Sequence, residues 1–187
     1  MHKETEMTRL PAVDPAQATG KAKQLLDAVQ AKLKITPNMT RVMANSPAVL
    51  EAYLNFNEAL SKGSLSAKLR ELISLVVAEA NNCEYCLSAH TAIGKMVGLQ
   101  DDEILAGLKL NSGDPKIDAA LRFAHEIVVR RGQLDTSDVE AVRKAGFSDG
   151  EIAEIIANTA VNIFTNYFNN VAGVEVDFPK VALRKTA

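Results

Sequence analysis

Helix start and stop signals recur so densely along this chain that they leave little room for any element but helices. Ser46-Pro47 sets a capping residue before a proline at the first helical position, and Gly63 closes the helix that follows, at about Lys62. Ser66 can cap a next helix with Leu69, Leu72, Ile73, Val76 and Val77 on one face, running into the turn-favouring pair Asn81-Asn82. A helix from near Cys83 to about Met96 stops at Gly98, and Asp101 opens a short one through about Leu108. Asp114-Pro115 repeats the cap-plus-proline signal for a helix to about Arg131, closed by Gly132. Ser137-x-x-Glu140 and Ser148-x-x-Glu151 read as capping boxes, the second opening a long helix over roughly Asp149 to Asn169. Near the start, Ala22, Leu25, Leu26, Val29 and Leu33 hold helical spacing within Gln17–Lys34 until Thr36-Pro37 breaks it. No run alternates apolar and polar residues between turn signals, so the expected fold class is all-α.

The chain has 187 residues, a length that fits one domain with a sizeable core. The expected division is a single helical domain over 1–187: a core at about 47–110, a second helical half at about 114–170 and a tail at 171–187. Lys62–Ser66 echoes Arg131–Asp135, and Gly98–Ile104 echoes Gly146–Ile152; both read more readily as common helix stops and starts than as a worn duplication. Within the tail, Gly173–Pro179 reads as extended or irregular. The mix of apolar and acidic residues over Val174–Val181 suits docking onto a neighbouring subunit, the competing reading being a tail folded back on its own domain.

Net charge is −2 and no basic stripe with interleaved aromatics occurs, which argues against a nucleic-acid partner. No apolar run approaches the roughly 20 residues of a membrane span. The start, Met1–Glu6, is charged and lacks the apolar core of a signal peptide, so a cytoplasmic protein is expected. A reducing compartment disfavours a structural disulfide and leaves a cycling dithiol as the more plausible use of two cysteines.

Both cysteines fall in Cys83-Glu84-Tyr85-Cys86-Leu87-Ser88-Ala89-His90, with one of three histidines. If Cys83 lies in the first turn of a helix, Cys86 projects roughly 60° from it and His90 roughly 20°. All three then share one face, and Cys86 and His90 form an i, i+4 pair. Unpaired N–H groups and the positive end of the dipole favour a thiolate there. A thiolate that attacks a peroxide oxygen becomes a sulfenic acid, which a second thiol condenses to a disulfide. Zinc is the competing reading, but four Cys/His ligands are usual, and beyond this stretch only His2 and His125 remain. The cysteines could also be inert core residues, and His90 could be merely hydrogen-bonded in the core. A carboxylate is expected to orient the imidazole. Glu71 and Glu79 are both on the preceding helix, and helical projection slightly favours Glu79.

Glu71, twelve residues before Cys83, followed by Cys83-x-x-Cys86-x-x-x-His90, resembles the alkylhydroperoxidase AhpD-like branch of the carboxymuconolactone decarboxylase family. This resemblance selects Glu71 over Glu79. It extends over Ser66–Leu108 in helix order, and Thr165–Asn169 with Glu175–Pro179 looks like the peroxidase-related subgroup. It implies an AhpD-like helical bundle, assembled as a homo-trimer or homo-hexamer. It also implies a thiol-dependent peroxidase for hydrogen peroxide or organic hydroperoxides, with no cofactor and no metal. In that scheme Cys86 is the attacking thiolate and Cys83, the more accessible, resolves it into a redox disulfide. Glu71 and His90 relay protons, and a lipoyl adaptor or thioredoxin-like dithiol donor returns electrons. The best-known members carry a histidine directly before the second cysteine where this chain has Tyr85. A phenol with a pKa near 10 is no base at neutral pH; Tyr85 would hydrogen-bond or shape the pocket, or simply pack. Competing with the peroxidase are a carboxymuconolactone-decarboxylase-like non-redox enzyme using His90 and Glu71, and a general thiol-disulfide oxidoreductase. The first has no need of the cysteine pair.

Overall fold

A computed structural model describes residues 8–184 and builds them from helices, with no strand among the described residues. In chain order these are α1 (Gly20–Leu33), α2 (Asn38–Met43), α3 (Pro47–Ser61), α4 (Ala67–Ala80), α5 (Glu84–Met96), α6 (Asp101–Leu108), α7 (Pro115–Val129), α8 (Thr136–Lys144) and α9 (Asp149–Ala172). The all-helical expectation therefore holds. No described helix is long and apolar enough to cross a membrane.

The bundle is organised around α4. Its sequence suggests one apolar face, but every residue from Leu72 to Ala78 is buried, Ser74 included. Helices α5, α6, α7 and α9 all pack against it. Ser74 is tolerated there because its hydroxyl donates to the Arg70 carbonyl and accepts from Asn162 Nδ2 at 3.0 Å. Helix α6 comes close to α4: a Cβ on Gly107 would lie 2.7 Å from Leu72 Cδ2.

Most boundaries follow the capping signals. The Ser66 hydroxyl accepts from Leu69 N, the Asp114 carboxylate from Lys116 N, and Ser148 with Glu151 closes a capping box. Three details differ. The box that opens α8 is Asp135 with Asp138, whose carboxylate also takes Arg130, so Ser137 is already inside the helix. The stop of α7 comes at Arg131 in the left-handed region (φ 55°), ahead of Gly132, whose N–H donates back to Ile127. After Thr36-Pro37 the chain does not stay irregular: α2 forms, with Thr40 Oγ1 donating to the Pro37 carbonyl and Asn38 N donating to Asp177.

The tail folds back on its own domain, which corrects the expectation that Val174–Val181 docks on a neighbour. Gly173 turns left-handed (φ 62°), and the chain then runs along α2, α5 and the end of α4. Phe178 meets Tyr85 edge-on, Val181 N donates to Ser88 Oγ, and Arg184 donates to Glu79 Oε1. These groups are available because Ser88 and Glu79 lie on the helix ends that the tail crosses.

Candidate active site

The α4–α5 turn creates the site. Helix α4 ends with Asn82 in the left-handed conformation (φ 51°), which asparagine adopts more readily than most residues. Cys83 N then donates to the Ala78 carbonyl and Asn82 N to Glu79, the paired bonds of a Schellman motif. The residue that follows this motif has to cap the next helix, and that residue is Cys83. It is the N-cap of α5 rather than a residue of its first turn, and its sulfur accepts the Cys86 N–H at 3.3 Å.

The sulfur of Cys86 thus sits at a helix N-terminus, within hydrogen-bond reach of α9 and under the charge of His90. Asn169 of α9 donates to it from Nδ2 at 3.1 Å and also reaches Met39 Sδ at 3.3 Å. One turn further along α5, His90 Nδ1 lies 2.8 Å from Glu71 Oε2 on α4. Since a carboxylate only accepts, Nδ1 carries the proton and Nε2 is left for exchange. A Cβ on Gly94 would come 3.1 Å from Leu99 Cδ1 and 3.9 Å from Glu71 Cβ, so glycine there lets α5 lie close to α4. Glu79, favoured by projection, is not in this set: its Oε1 holds Arg184 of the tail. His125 lies on α7 next to Glu126, and His2 falls outside the described residues.

The two thiols are driven apart in acidity. Burial pushes the Cys86 thiol up. The Cys83 thiol, the charge of His90, and the Asn169 and Asn166 amides outweigh it and bring Cys86 from 9.0 down to about 7. Cys83 is held well above its ordinary range by its bond to the Cys86 sulfur, by burial and by the Cys86 charge. Burial also opposes a charge on His90, but Glu71, Cys86 and Asn162 together raise its pKa above 6.5. The arrangement favours a single thiolate on Cys86, a proton on His90 and a neutral thiol on Cys83.

Access differs from expectation. Cys83 is 0% exposed and Cys86 2%, so Cys83 is not the more accessible of the two. The reason is its capping position, tucked under the end of α4. Both are free thiols. Tyr85 serves α2 and the tail: its hydroxyl accepts from Met39 N at 3.2 Å and its ring packs against Phe178 at 5.8 Å. Burial, partly offset by the Met39 N–H, and the charge of Asp177 raise its pKa above the usual 10. Among the described residues no group of three or more His, Cys, Asp or Glu is placed to hold a metal ion.

Two contributions were not read from the sequence. Tyr53 of α3 has its phenol raised to about 12, first by burial, with Asn57 partly offsetting and the Cys86 and Glu71 charges adding to it. The larger omission is α9. Asn158, Asn162, Asn166 and Asn169 recur at helical spacing and are all buried. Asparagine is a poor residue for a helix interior, so four on one face of an apolar helix is a signal of paired polar groups.

Comparison with known proteins bears on the fold that carries this site. Residues 47–126 match the carboxymuconolactone decarboxylase family. A peroxidase-related protein of Ralstonia eutropha JMP134, described as an alkylhydroperoxidase AhpD core, superposes with a TM-score of 0.81 at 28% identity, covering 90% of this chain and 92% of that one. A peroxidase-related protein of Silicibacter sp. TM1040 gives 0.77 at 26%, covering 97% and 96%. An uncharacterised protein of Haemophilus influenzae is 49% identical over 45 residues, 24% of this chain and 40% of that relative's length. The motif-bearing residues 47–126 thus match the carboxymuconolactone decarboxylase family, and the helices, superposing over nearly the whole length, give this chain the AhpD-like fold.

Proposed function

We propose that this chain, as one AhpD-like domain, is a thiol-dependent peroxidase that reduces hydrogen peroxide or organic hydroperoxides through a Cys83/Cys86 dithiol–disulfide cycle. The observation that carries the reading is the Cys86 sulfur, at a helix N-terminus and bonded by Asn169, with the His90–Glu71 pair one turn away. In the first step the Cys86 thiolate attacks one peroxide oxygen. The S–O bond forms, the O–O bond breaks, and the departing alkoxide takes a proton from His90, with Glu71 holding the imidazole. In the second step Cys83 gives up its proton and attacks the Cys86 sulfur, so the S–S bond forms and water leaves. An external dithiol then returns two electrons, being oxidised to its own disulfide. A lipoyl adaptor or a thioredoxin-like protein is a donor of the required chemistry, and a reducing cytoplasmic setting suits the cycle.

Burial of both sulfurs favours a small oxidant over a bulky protein disulfide, which supports the peroxidase reading over a general thiol-disulfide oxidoreductase. We further propose that the chain works as a homo-trimer or homo-hexamer. The solvent side of α9 supports this, since Ile156, Phe164, Tyr167 and Val171 are exposed along it.

The test is turnover of tert-butyl hydroperoxide with a dithiol donor. Cys86→Ser should remove it. Wild-type rates in that variant, or activity surviving alkylation of both thiols, would reject the redox cycle in favour of a non-redox enzyme built on His90 and Glu71.

A further inference from the structure

The asparagines of α9 form a third wall of the site, and two of their polar atoms complete no hydrogen bond to protein. Asn169 is 3% exposed and Asn166 is 0% exposed. Asn169 Nδ2 donates to Cys86 Sγ, while its Oδ1 is buried without a donor. Asn166 stands one turn earlier. Its Oδ1 accepts from Asn81 Nδ2 at 3.0 Å, and its Nδ2 is buried without an acceptor. Thiolate and thioether sulfurs only accept here, so Asn169 turns nitrogen toward Cys86 and Met39; Asn166 is assigned with its oxygen on Asn81 Nδ2, which leaves its nitrogen on the side of the Cys86 sulfur, whose thiol pKa it helps to lower. What remains is an acceptor without a donor on Asn169 and a donor on Asn166 that faces the Cys86 sulfur without completing a hydrogen bond to it, a single helical turn apart. A buried polar atom without a partner is costly, and a donor and an acceptor left together suit a water or a small ligand that offers both.

We infer that Asn169 and Asn166 form the oxygen-binding slot of this site, Asn169 holding the Cys86 thiolate while its Oδ1 and the Asn166 Nδ2 receive the –O–O–H group of a hydroperoxide. This rests on the thiol peroxidase reading. A hydroperoxide fits the slot because its O–H supplies Oδ1 with a donor and its oxygens accept from the Asn166 amide. A dialkyl peroxide lacks the hydrogen. As the O–O bond breaks, the Asn166 N–H faces the oxygen on which charge develops, the position where a preorganised donor contributes most. Asn169 touches the reacting sulfur, so it is a catalytic residue. The charged groups around that sulfur are His90 and Glu71 on α5 and α4, with the Tyr53 phenol from α3.

The experiment uses the full chain, reduced, in two readouts. The first is thiolate absorbance at 240 nm against pH, without peroxide. Wild type should show one thiolate with a midpoint of about 7, and Asn169→Ala should move it up by about one unit, the size a lost donor produces. The second is single-turnover oxidation by hydrogen peroxide at a pH where each protein's thiolate is fully formed. There Asn166→Ala and Asn169→Ala should each be slower by about tenfold or more. Asn169→Ser and Asn166→Ser, which keep a hydroxyl donor, should recover part of the loss and stand in if an alanine variant loses its helical circular dichroism. An unshifted midpoint together with wild-type rates at full ionisation overturns the inference. A wild-type protein that forms its thiolate but does not react with peroxide would instead reject the peroxidase reading, and the slot with it. Normal reaction with unchanged variants rejects the slot alone.

Discussion

His90 Nδ1 lies 2.8 Å from Glu71 Oε2, and this contact bridges the two helices that carry the candidate chemistry. It is a half-buried pair, the side chains 21% and 17% exposed, so the charge of Glu71 reaches His90 with little screening. Through His90 it also reaches Cys86, whose acidity depends in part on the imidazolium charge. Glu71→Gln keeps the shape and a hydrogen-bonding oxygen but removes the charge. The expected result is a fall in kcat/KM for tert-butyl hydroperoxide of about a hundredfold at pH 7, in the range of a lost acid–base group. The rising limb of the pH–rate profile should move upward from about 7, where Cys86 titrates in the wild type. A variant whose limb stays near 7 would show that Glu71 does not act through His90 on the thiol.

The same shifts make stability depend on pH. The Cys86 thiol is lowered from 9.0 to about 7 by folding. Its contribution is therefore complete above about pH 9 and disappears as pH falls through 7. His90 is raised above 6.5, so its contribution is complete below that value and is lost as pH rises through its folded value. Cys86→Ser removes the first of these. The difference in unfolding free energy between wild type and Cys86→Ser, by urea unfolding under reduction, should grow by on the order of 2 kcal/mol between pH 6 and pH 9. A difference that stays flat across that interval would mean that Cys86 is not ionised in the folded protein.

What the sequence made legible was local. Ser66, Asp114 and Ser148 cap the helices they were expected to cap, because a cap is decided within four residues. Asp135 took the place of Ser137 because both lie before a carboxylate at the right spacing, and only the Arg130 bond to Asp138 separates them. Cys86 and His90 share a face of α5 by helical period, whereas Cys83 reaches the Cys86 N–H as the N-cap and not as a helical residue. Projection preferred Glu79 to Glu71, and family resemblance reversed that choice. The structure shows why projection misled: a helix buried on all sides has no single face against which a glutamate can be ranked. The burial of Cys83, the course of the tail and the Asn169–Cys86 bond join residues from 83 to more than 100 positions apart, and no local pattern announces them.

The tail is expected to control access to the dithiol. Phe178 packs edge-on against Tyr85, which lies between the cysteines, and Asp177 accepts the Asn38 N–H beside it. Phe178→Ala removes the ring but leaves the backbone anchors at Ser88 and Glu79. The variant should lose about 1–2 kcal/mol of stability, less than a fully buried phenylalanine, since Phe178 is only partly buried. Its thiols should react several-fold faster with a bulky disulfide reagent such as DTNB, while the rate with hydrogen peroxide changes little. Equal DTNB rates in variant and wild type would show that the tail does not cover the cysteines.

The solvent side of α9 supplies the last prediction. Its inner side is polar where it meets the site, and its outer side carries Tyr167 and Val171 at more than half exposure, with Ile156 and Phe164 in line with them. Such an inversion is unfavourable for a helix that stays in water on that side, since an apolar stripe from Ile156 to Val171 is the pattern of a helix packed on both sides. Tyr167→Glu with Val171→Glu places two charges in the stripe without touching Asn162, Asn166 or Asn169, which point to the other side. Light scattering should show wild type as a trimer or hexamer and the double variant shifted to smaller species, with its circular dichroism unchanged. Because the amide wall of the site belongs to the same helix, the double variant should also lose part of its peroxide turnover on dissociation. A wild-type protein that scatters as a monomer, or a double variant that assembles normally, would remove α9 as the subunit contact.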